Sequence, residues 1–86
     1  MKKSIHSKRY QLLCAILIQR RRELHLSQYE LANRLKKPQS FVAKIEGRER
    51  RIDVIEFLDL AQSLDLNPCN ILEQLSKQDM NQETTE

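Results

Sequence analysis

The side chains of this 86-residue chain that could do chemistry are amides, hydroxyls and cations, gathered within residues 27–51. No nucleophile stands beside a base, no carboxylates form a dyad, and no glycine-rich loop could cradle phosphate, so the chain is not expected to be an enzyme. His6 and His25 have no ligand or triad partner at useful spacing. Cys14 and Cys69 lie far apart with no nearby His pair or C-x-x-C, which fits neither a zinc site nor a disulfide framework. Reduced thiols, a cytoplasmic location and no metal or cofactor are the expectation. What remains is recognition through hydrogen bonds and positive charge.

Two short helices joined by a tight turn must carry those groups. Ser27 and Glu30 form an S-x-x-E capping box, and Leu31, Ala32 and Leu35 follow on one side at helical spacing, with Ala32 small enough to admit a close neighbour. Pro38 suits the opening of the next helix and Gly47 its stop. The spacing predicts helix two over Gln28–Leu35 and helix three over Gln39–Glu46. On helix three Val42 and Ile45 face inward, whereas Gln39, Ser40, Ala43 and Lys44 occupy the opposite side. That outward stripe is polar, short and uncharged except for Lys44; a generic solvated face would carry Glu–Lys pairs.

The remaining elements enclose this pair. Helix one is predicted over Lys8–Glu23 with Ser7 as cap, and its apolar residues include Leu12, Leu13, Ile16 and Leu17. The apolar run at 12–18 is too short to cross a bilayer, and Arg20, Arg21 and Arg22 follow it without a small-residue cleavage site, so it reads as a buried helix and not a signal peptide. Asp53 and Glu56 make a second capping box opening helix four, expected to bury Val54, Phe57, Leu60, Ala61 and Leu64. Asn67 and Pro68 launch helix five through Ile71, Leu72 and Leu75. With one Gly, two Pro and 40% hydrophobic residues, the composition suits an all-α domain with one modest core. The domain is expected over 7–76, between a flexible arm at 1–6 and a disordered acidic tail at 77–86.

The net charge is only +3, but residues 34–51 hold seven basic side chains against two acidic ones, while 77–86 hold one base against three acids. Positive charge concentrated beside a polar helix face is the footprint of a nucleic-acid binder; a plain solvated basic surface is the competing reading.

At this point the residues resemble the phage repressor and Cro (XRE-type) helix-turn-helix family of transcriptional regulators. Its pattern of Gln opening helix two, Leu-Ala within it, Gln or Ser opening helix three and Ile-Glu closing it is met by Gln28, Leu31-Ala32, Gln39-Ser40 and Ile45-Glu46, and the likeness covers residues 10–75. The chain departs from the family at Lys36, where a Gly is usual; a non-Gly left-handed residue costs roughly 1 kcal/mol.

The resemblance implies a compact five-helix lambda-repressor-like fold with helix three in the major groove. Gln39 would pair with a base edge, typically adenine, and Ser40 and Lys44 would reach neighbouring bases, Lys44 suiting the acceptors of guanine. Gln28 would sit over the DNA backbone and brace Gln39, and Lys36, Lys37, Arg48, Arg50 and Arg51 would meet phosphates without reading sequence. Phe41 suits a thymine methyl or, the preferred reading, core packing beside Val42. Arg21 and Glu46 would form a buried ion pair fixing helix three. Ile71, Leu72 and Leu75 would provide a dimer interface or else close the monomer core. The implied function is a repressor binding a palindromic operator in double-stranded DNA as a homodimer, with no membrane association and no small-molecule domain. The alternative is an antitoxin that binds a toxin partner and represses its own operon.

Overall fold

Five helices follow in order in the computed structural model, which describes residues 7–78: α1 (Lys8–Glu23), α2 (Gln28–Leu35), α3 (Gln39–Glu46), α4 (Val54–Ser63) and α5 (Pro68–Ser76). The expected arm at 1–6, and all but the first two residues of the expected acidic tail, lie outside the described residues.

Side-chain oxygens start four of the five helices by taking up orphan amides. Ser7 Oγ accepts from the Tyr10 amide at 3.0 Å, and Asn67 Oδ1 from those of Cys69 and Asn70 at 2.8 and 3.3 Å. The two capping boxes are reciprocal: Glu30 N–H donates to Ser27 and Ser27 N–H to Glu30 (3.0 and 2.8 Å), and Glu56 N–H to Asp53 and Asp53 N–H to Glu56 (2.7 and 3.0 Å). α3 is the exception: Pro38 stands at its N-cap and offers no side-chain acceptor. That end of α3 is exposed, so water or a ligand can take its amides.

One device ends α1 to α4. In each, the chain turns through a left-handed residue, His25, Lys36, Arg48 or Asp65, with φ between 54° and 58°. The following residue's amide reaches back five positions: Leu26 to Arg21, Lys37 to Ala32, Glu49 to Lys44 and Leu66 to Ala61, at 2.8 to 3.1 Å. These are Schellman reversals built without glycine. Gly47 stops α3 as expected, standing at its C-cap with φ −81°; Arg48, the residue after it, takes the left-handed position. A Cβ on Gly47 would lie 3.0 Å from a Glu49 carboxylate oxygen and 3.2 Å from the Ala43 carbonyl oxygen, so close approach, not handedness, favours glycine there.

The core joins Leu17, Leu31, Ala32, Val42, Ile45, Leu60 and Leu64, with Leu13, Leu24, Leu26, Leu35, Phe41, Ile52 and Leu66 packed around it. α2 packs on α3 and α4, α1 on α3 and α5, and α4 on α5. Ala32 is 1% exposed, which is what lets α2 and α3 approach. On α4 the buried face is Phe57, Leu60 and Ala61, continued by Leu64. Val54, expected in that set, is 66% exposed, because it occupies the first position of the helix, where no neighbouring element covers it. Ile71 is 2% exposed and part of the monomer's interior.

Each non-glycine reversal stores local strain, and His25 and Asp65 lie outside the expected DNA-contacting residues. His25→Gly and Asp65→Gly should each stabilise the fold by about 0.5–1 kcal/mol, raising the melting temperature by roughly 2–8 °C. A thermal melt that falls for both would refute the strain. Acid should act on the capping boxes. The Ser27 amide holds the Glu30 carboxyl below its usual range, and the Arg50 guanidinium does the same for Glu56. Carboxyls depressed on folding stabilise above their unfolded pKa, and that contribution fades as pH falls through the folded value. Melting temperature should therefore drop on acidification below about pH 4, and Glu30→Gln, which keeps a capping acceptor, should flatten that drop.

Candidate nucleic-acid interface

α3 shows one side to the interior and the other to solvent. Val42 and Ile45 are 1% and 2% exposed, whereas Gln39, Ser40 and Lys44 are exposed and Ala43 is half-buried between them. With its amide ends uncapped and its outward side chains untied by ion pairs, the helix presents donors and acceptors to whatever lies opposite.

Its inward end is held by one carboxylate. Glu46 accepts from Arg21 Nε at 2.6 Å and Arg21 Nη2 at 3.0 Å, and from Gln28 Nε2 at 2.9 Å. Arg21 directs a further donor, Nη1, to the Leu26 carbonyl at 2.7 Å. The two charged side chains are 11% and 10% exposed, so both have left bulk water and depend on each other. The structure thus brings together Arg21 of α1, Gln28 of α2 and Glu46 of α3. Gln28 turns to Glu46 at the end of α3 and not to Gln39 at its start, which corrects the brace expected from the sequence. The Gln28 amide keeps a second N–H for another acceptor.

The basic residues divide into two groups. Lys36, Lys37, Lys44, Arg48 and Arg51 are exposed, with Lys36 and Arg48 at the two left-handed turns flanking α3. Arg50, expected beside them as a phosphate contact, is instead committed to the protein. Its Nη1 and Nη2 donate to the two oxygens of Glu56 at 3.1 and 3.2 Å, and its guanidinium carbon lies 4.9 Å from the centre of the Phe41 ring. Phe41 is half-buried against the core, as its preferred reading required, and Lys37 Nζ stands 5.4 Å from the same ring.

Tyr10 was not singled out by sequence reasoning, yet its hydroxyl donates to the Arg50 carbonyl at 2.9 Å. Burial first, and then the neighbouring Cys14, push its pKa up to about 12, so it remains a donor at any physiological pH. Cys14 Sγ donates to the Ile45 carbonyl at 3.6 Å, and burial raises its pKa; Cys69 is exposed, and both thiols are free. Among the described residues no cluster of His, Cys, Asp and Glu could hold a metal ion, and no helix is long and apolar enough to cross a membrane. Of the residues expected at a dimer interface, Ile71 is buried and Leu75 half-buried within the monomer, and only Leu72, 51% exposed, is available.

Removing Arg21 would strand Glu46 away from water. Arg21→Ala should cost roughly 3–5 kcal/mol, a large share of the stability of so small a domain. Gln28→Ala, which leaves the ion pair in place, should cost about 1 kcal/mol. Denaturant melts of both variants measure this, and equal losses would deny the pair its special role.

A family model described as helix-turn-helix matches residues 17–70. Among solved structures, an XRE-family like protein from Pseudomonas syringae pv. tomato str. DC3000 is 45% identical, with a TM-score of 0.78 over 85% of this chain and 89% of that one. Comparison with curated proteins gives no match. A polar α3 surface backed by a buried brace, exposed cations on both flanks, and these two likenesses converge: the chain belongs to the XRE/Cro-type helix-turn-helix family and is a sequence-specific DNA-binding regulator of that type.

Proposed function

We propose that this regulator is a repressor that binds a palindromic operator as a homodimer, with α3 lying in the major groove of each half-site. The observation that carries the reading is the asymmetry of α3: Glu46 is held by three donors on the inner side while Gln39, Ser40 and Lys44 are free on the outer one. In this arrangement Gln39 pairs with an adenine edge, Lys44 with guanine acceptors and Ser40 with a neighbouring base. Lys36, Lys37, Arg48 and Arg51 meet phosphates. The second N–H of Gln28 supplies one more phosphate donor while the first stays on Glu46. Repression follows from occupying DNA that polymerase must use.

A helix of eight residues reads only a few base pairs, so a second copy is needed for a useful site. Because α5 buries Ile71, the interface expected there moves to α4, where Val54, Ile55 and Leu58 are 66%, 63% and 44% exposed on one side of the helix. This side follows in the chain directly on the loop bearing Arg48 and Arg51. Three partly exposed side chains make a small apolar patch, whereas a stable interface buries roughly 800 Å² per partner. Pairing is thus weak in solution and completed on DNA.

Readout and positioning should fail differently on mutation. Gln39→Ala or Lys44→Ala should lose roughly 1–3 kcal/mol on the operator, relax preference at particular base pairs and change random-DNA binding little. Arg51→Ala should weaken both DNAs alike and lower the salt slope by about one. Titrations against a selected operator and a random duplex at several salt concentrations read these effects; equal losses on both DNAs for the α3 variants would remove α3 as the reading element. Ile55→Glu should leave half-site affinity nearly intact while abolishing cooperative filling of the full site, seen as footprints on single half-sites. Recovery of the native chain with a small basic protein in place of a second copy would turn the reading toward an antitoxin.

A further inference from the structure

We infer that Arg50 is a positioning residue, not a phosphate ligand: through Phe41 and Glu56 it holds α3 and the arginine loop behind it in the DNA-reading geometry. The inference rests on the proposed reading of α3 and adds to it a residue that acts without touching DNA.

The groups gathered around Arg50 and the Phe41 ring come from four parts of the chain. Its guanidinium forks onto both oxygens of Glu56, on α4, at 3.1 and 3.2 Å. It stacks 4.9 Å from the centre of Phe41, the third residue of α3. Its carbonyl accepts from Tyr10, on α1, at 2.9 Å. Lys37, in the turn before α3, stands at 5.4 Å over the same ring. The turn entering α3, α3 itself, the loop leaving it and the start of α4 are thereby fastened to one another at the aromatic ring and the cation beside it.

Glu56 serves two donors with one oxygen. Its Oε1 accepts the Asp53 amide at 3.0 Å, which caps α4, and also Arg50 Nη1 at 3.1 Å. Where α4 begins thus decides where Arg50 sits. For Arg50 to reach a phosphate, its fork and its stacking contact would both have to break, leaving the Glu56 carboxylate unpaired beside a polyanion. Two neighbours are better placed to meet phosphate, since Arg48 and Arg51 are exposed, whereas the Arg50 and Glu56 side chains are 36% and 17% exposed. A planar fork that also stacks is a function lysine cannot reproduce, whereas phosphate accepts either cation.

Glu56→Gln separates the possibilities, because Gln serves as well as Glu in the capping box but offers Arg50 no charge. With Arg50 as a positioning residue, Glu56→Gln and Arg50→Ala each weaken operator binding by about five- to tenfold. The double variant is then little worse than either, Arg50→Lys fails to rescue, and the salt slope matches that of the unaltered protein. With Arg50 as a phosphate ligand, Glu56→Gln tightens binding by freeing a cation and deleting an acid, Arg50→Lys rescues, and Arg50→Ala lowers the slope by about one; any of these overturns the inference. Amide hydrogen exchange in the free full-length chain gives a reading independent of DNA. Faster exchange at residues 47–53 in Glu56→Gln, with the protection of α1 and α2 unchanged, supports the fastening even if no operator preference is found. Unchanged exchange in that loop overturns it.

Discussion

Everything the outer side of α3 can do depends on the Glu46 carboxylate being satisfied on the inner side. A carboxylate about one-tenth exposed, facing a guanidinium equally enclosed, has lost most of its hydration, and Coulomb attraction alone does not offset that loss. The compensation here is geometric: both Arg21 donors that point at Glu46 lie within 3.0 Å, Gln28 adds a third, and the remaining Arg21 donor finds the Leu26 carbonyl. Three hydrogen bonds join the end of α3 to α1 and to the start of α2, and a fourth ties Arg21 to the turn between those two helices. A hydrophobic pair of similar volume could stabilise the core as well, but it would supply none of these directional bonds. Directional bonds fix the helix in register, and register is what base reading requires.

The same preference for fixed geometry appears in the turns. Four successive helices end in one reversal with a non-glycine residue in the left-handed region, at a cost of roughly 1 kcal/mol each. Two of the positions carry cations, Lys36 and Arg48, at the corners on either side of α3. Glycine at those corners would relieve strain and remove charge from the places nearest to the expected phosphates. At His25 and Asp65 no comparable gain is visible, and the strain there is simply tolerated by a core whose Leu64 and Ala61 are fully enclosed.

Helix boundaries were legible because their chemistry is local. Ser7, Ser27, Asp53 and Asn67 announce helix starts by side-chain oxygens that need only the next few amides, and the structure begins its helices there. Val42 and Ile45 were legible as core, since a three-residue spacing leaves them one face to share. Three features were less so, and each depends on a contact distant in sequence. Val54 follows the periodicity of a buried face, but whether a neighbour covers the first turn of α4 is not written in α4. Ile71, a candidate for an interface, is enclosed by the rest of the monomer. Arg50 stands in a run with Arg48 and Arg51 that looks uniform, and only the arrival of Phe41 and Glu56 beside it distinguishes it. Gly47 stops α3 as expected, standing at its C-cap, but for a reason the sequence did not display: the glycine gives space against Glu49 and Ala43, while the left-handed turn falls one residue later, at Arg48.

Arg50 is one case of a wider division among the basic residues that net charge conceals. Arg9 Nε donates to the Leu75 carbonyl at 3.0 Å, Arg20 Nε to Leu64 at 2.8 Å and Arg34 Nη1 to Ser63 at 3.2 Å, so these three arginines close the carboxyl ends of α5 and α4. Cations at such ends meet unpaired carbonyls and the negative pole of the helix together. Arg21 and Arg50 fork onto carboxylates. In each of these five cases the guanidinium joins segments that are separate in the chain, a role suited to several donors fixed in one plane. The three lysines near α3, by contrast, are exposed, Lys37 standing over the Phe41 ring, and none forks onto a carboxylate. A count of Lys and Arg therefore overstates the field available to DNA, because a guanidinium already neutralised by Glu46 or Glu56 releases no counterion when a phosphate arrives. On the proposed reading the effective footprint is the smaller set at Lys36, Lys37, Lys44, Arg48 and Arg51, which surrounds the exposed outer side of α3.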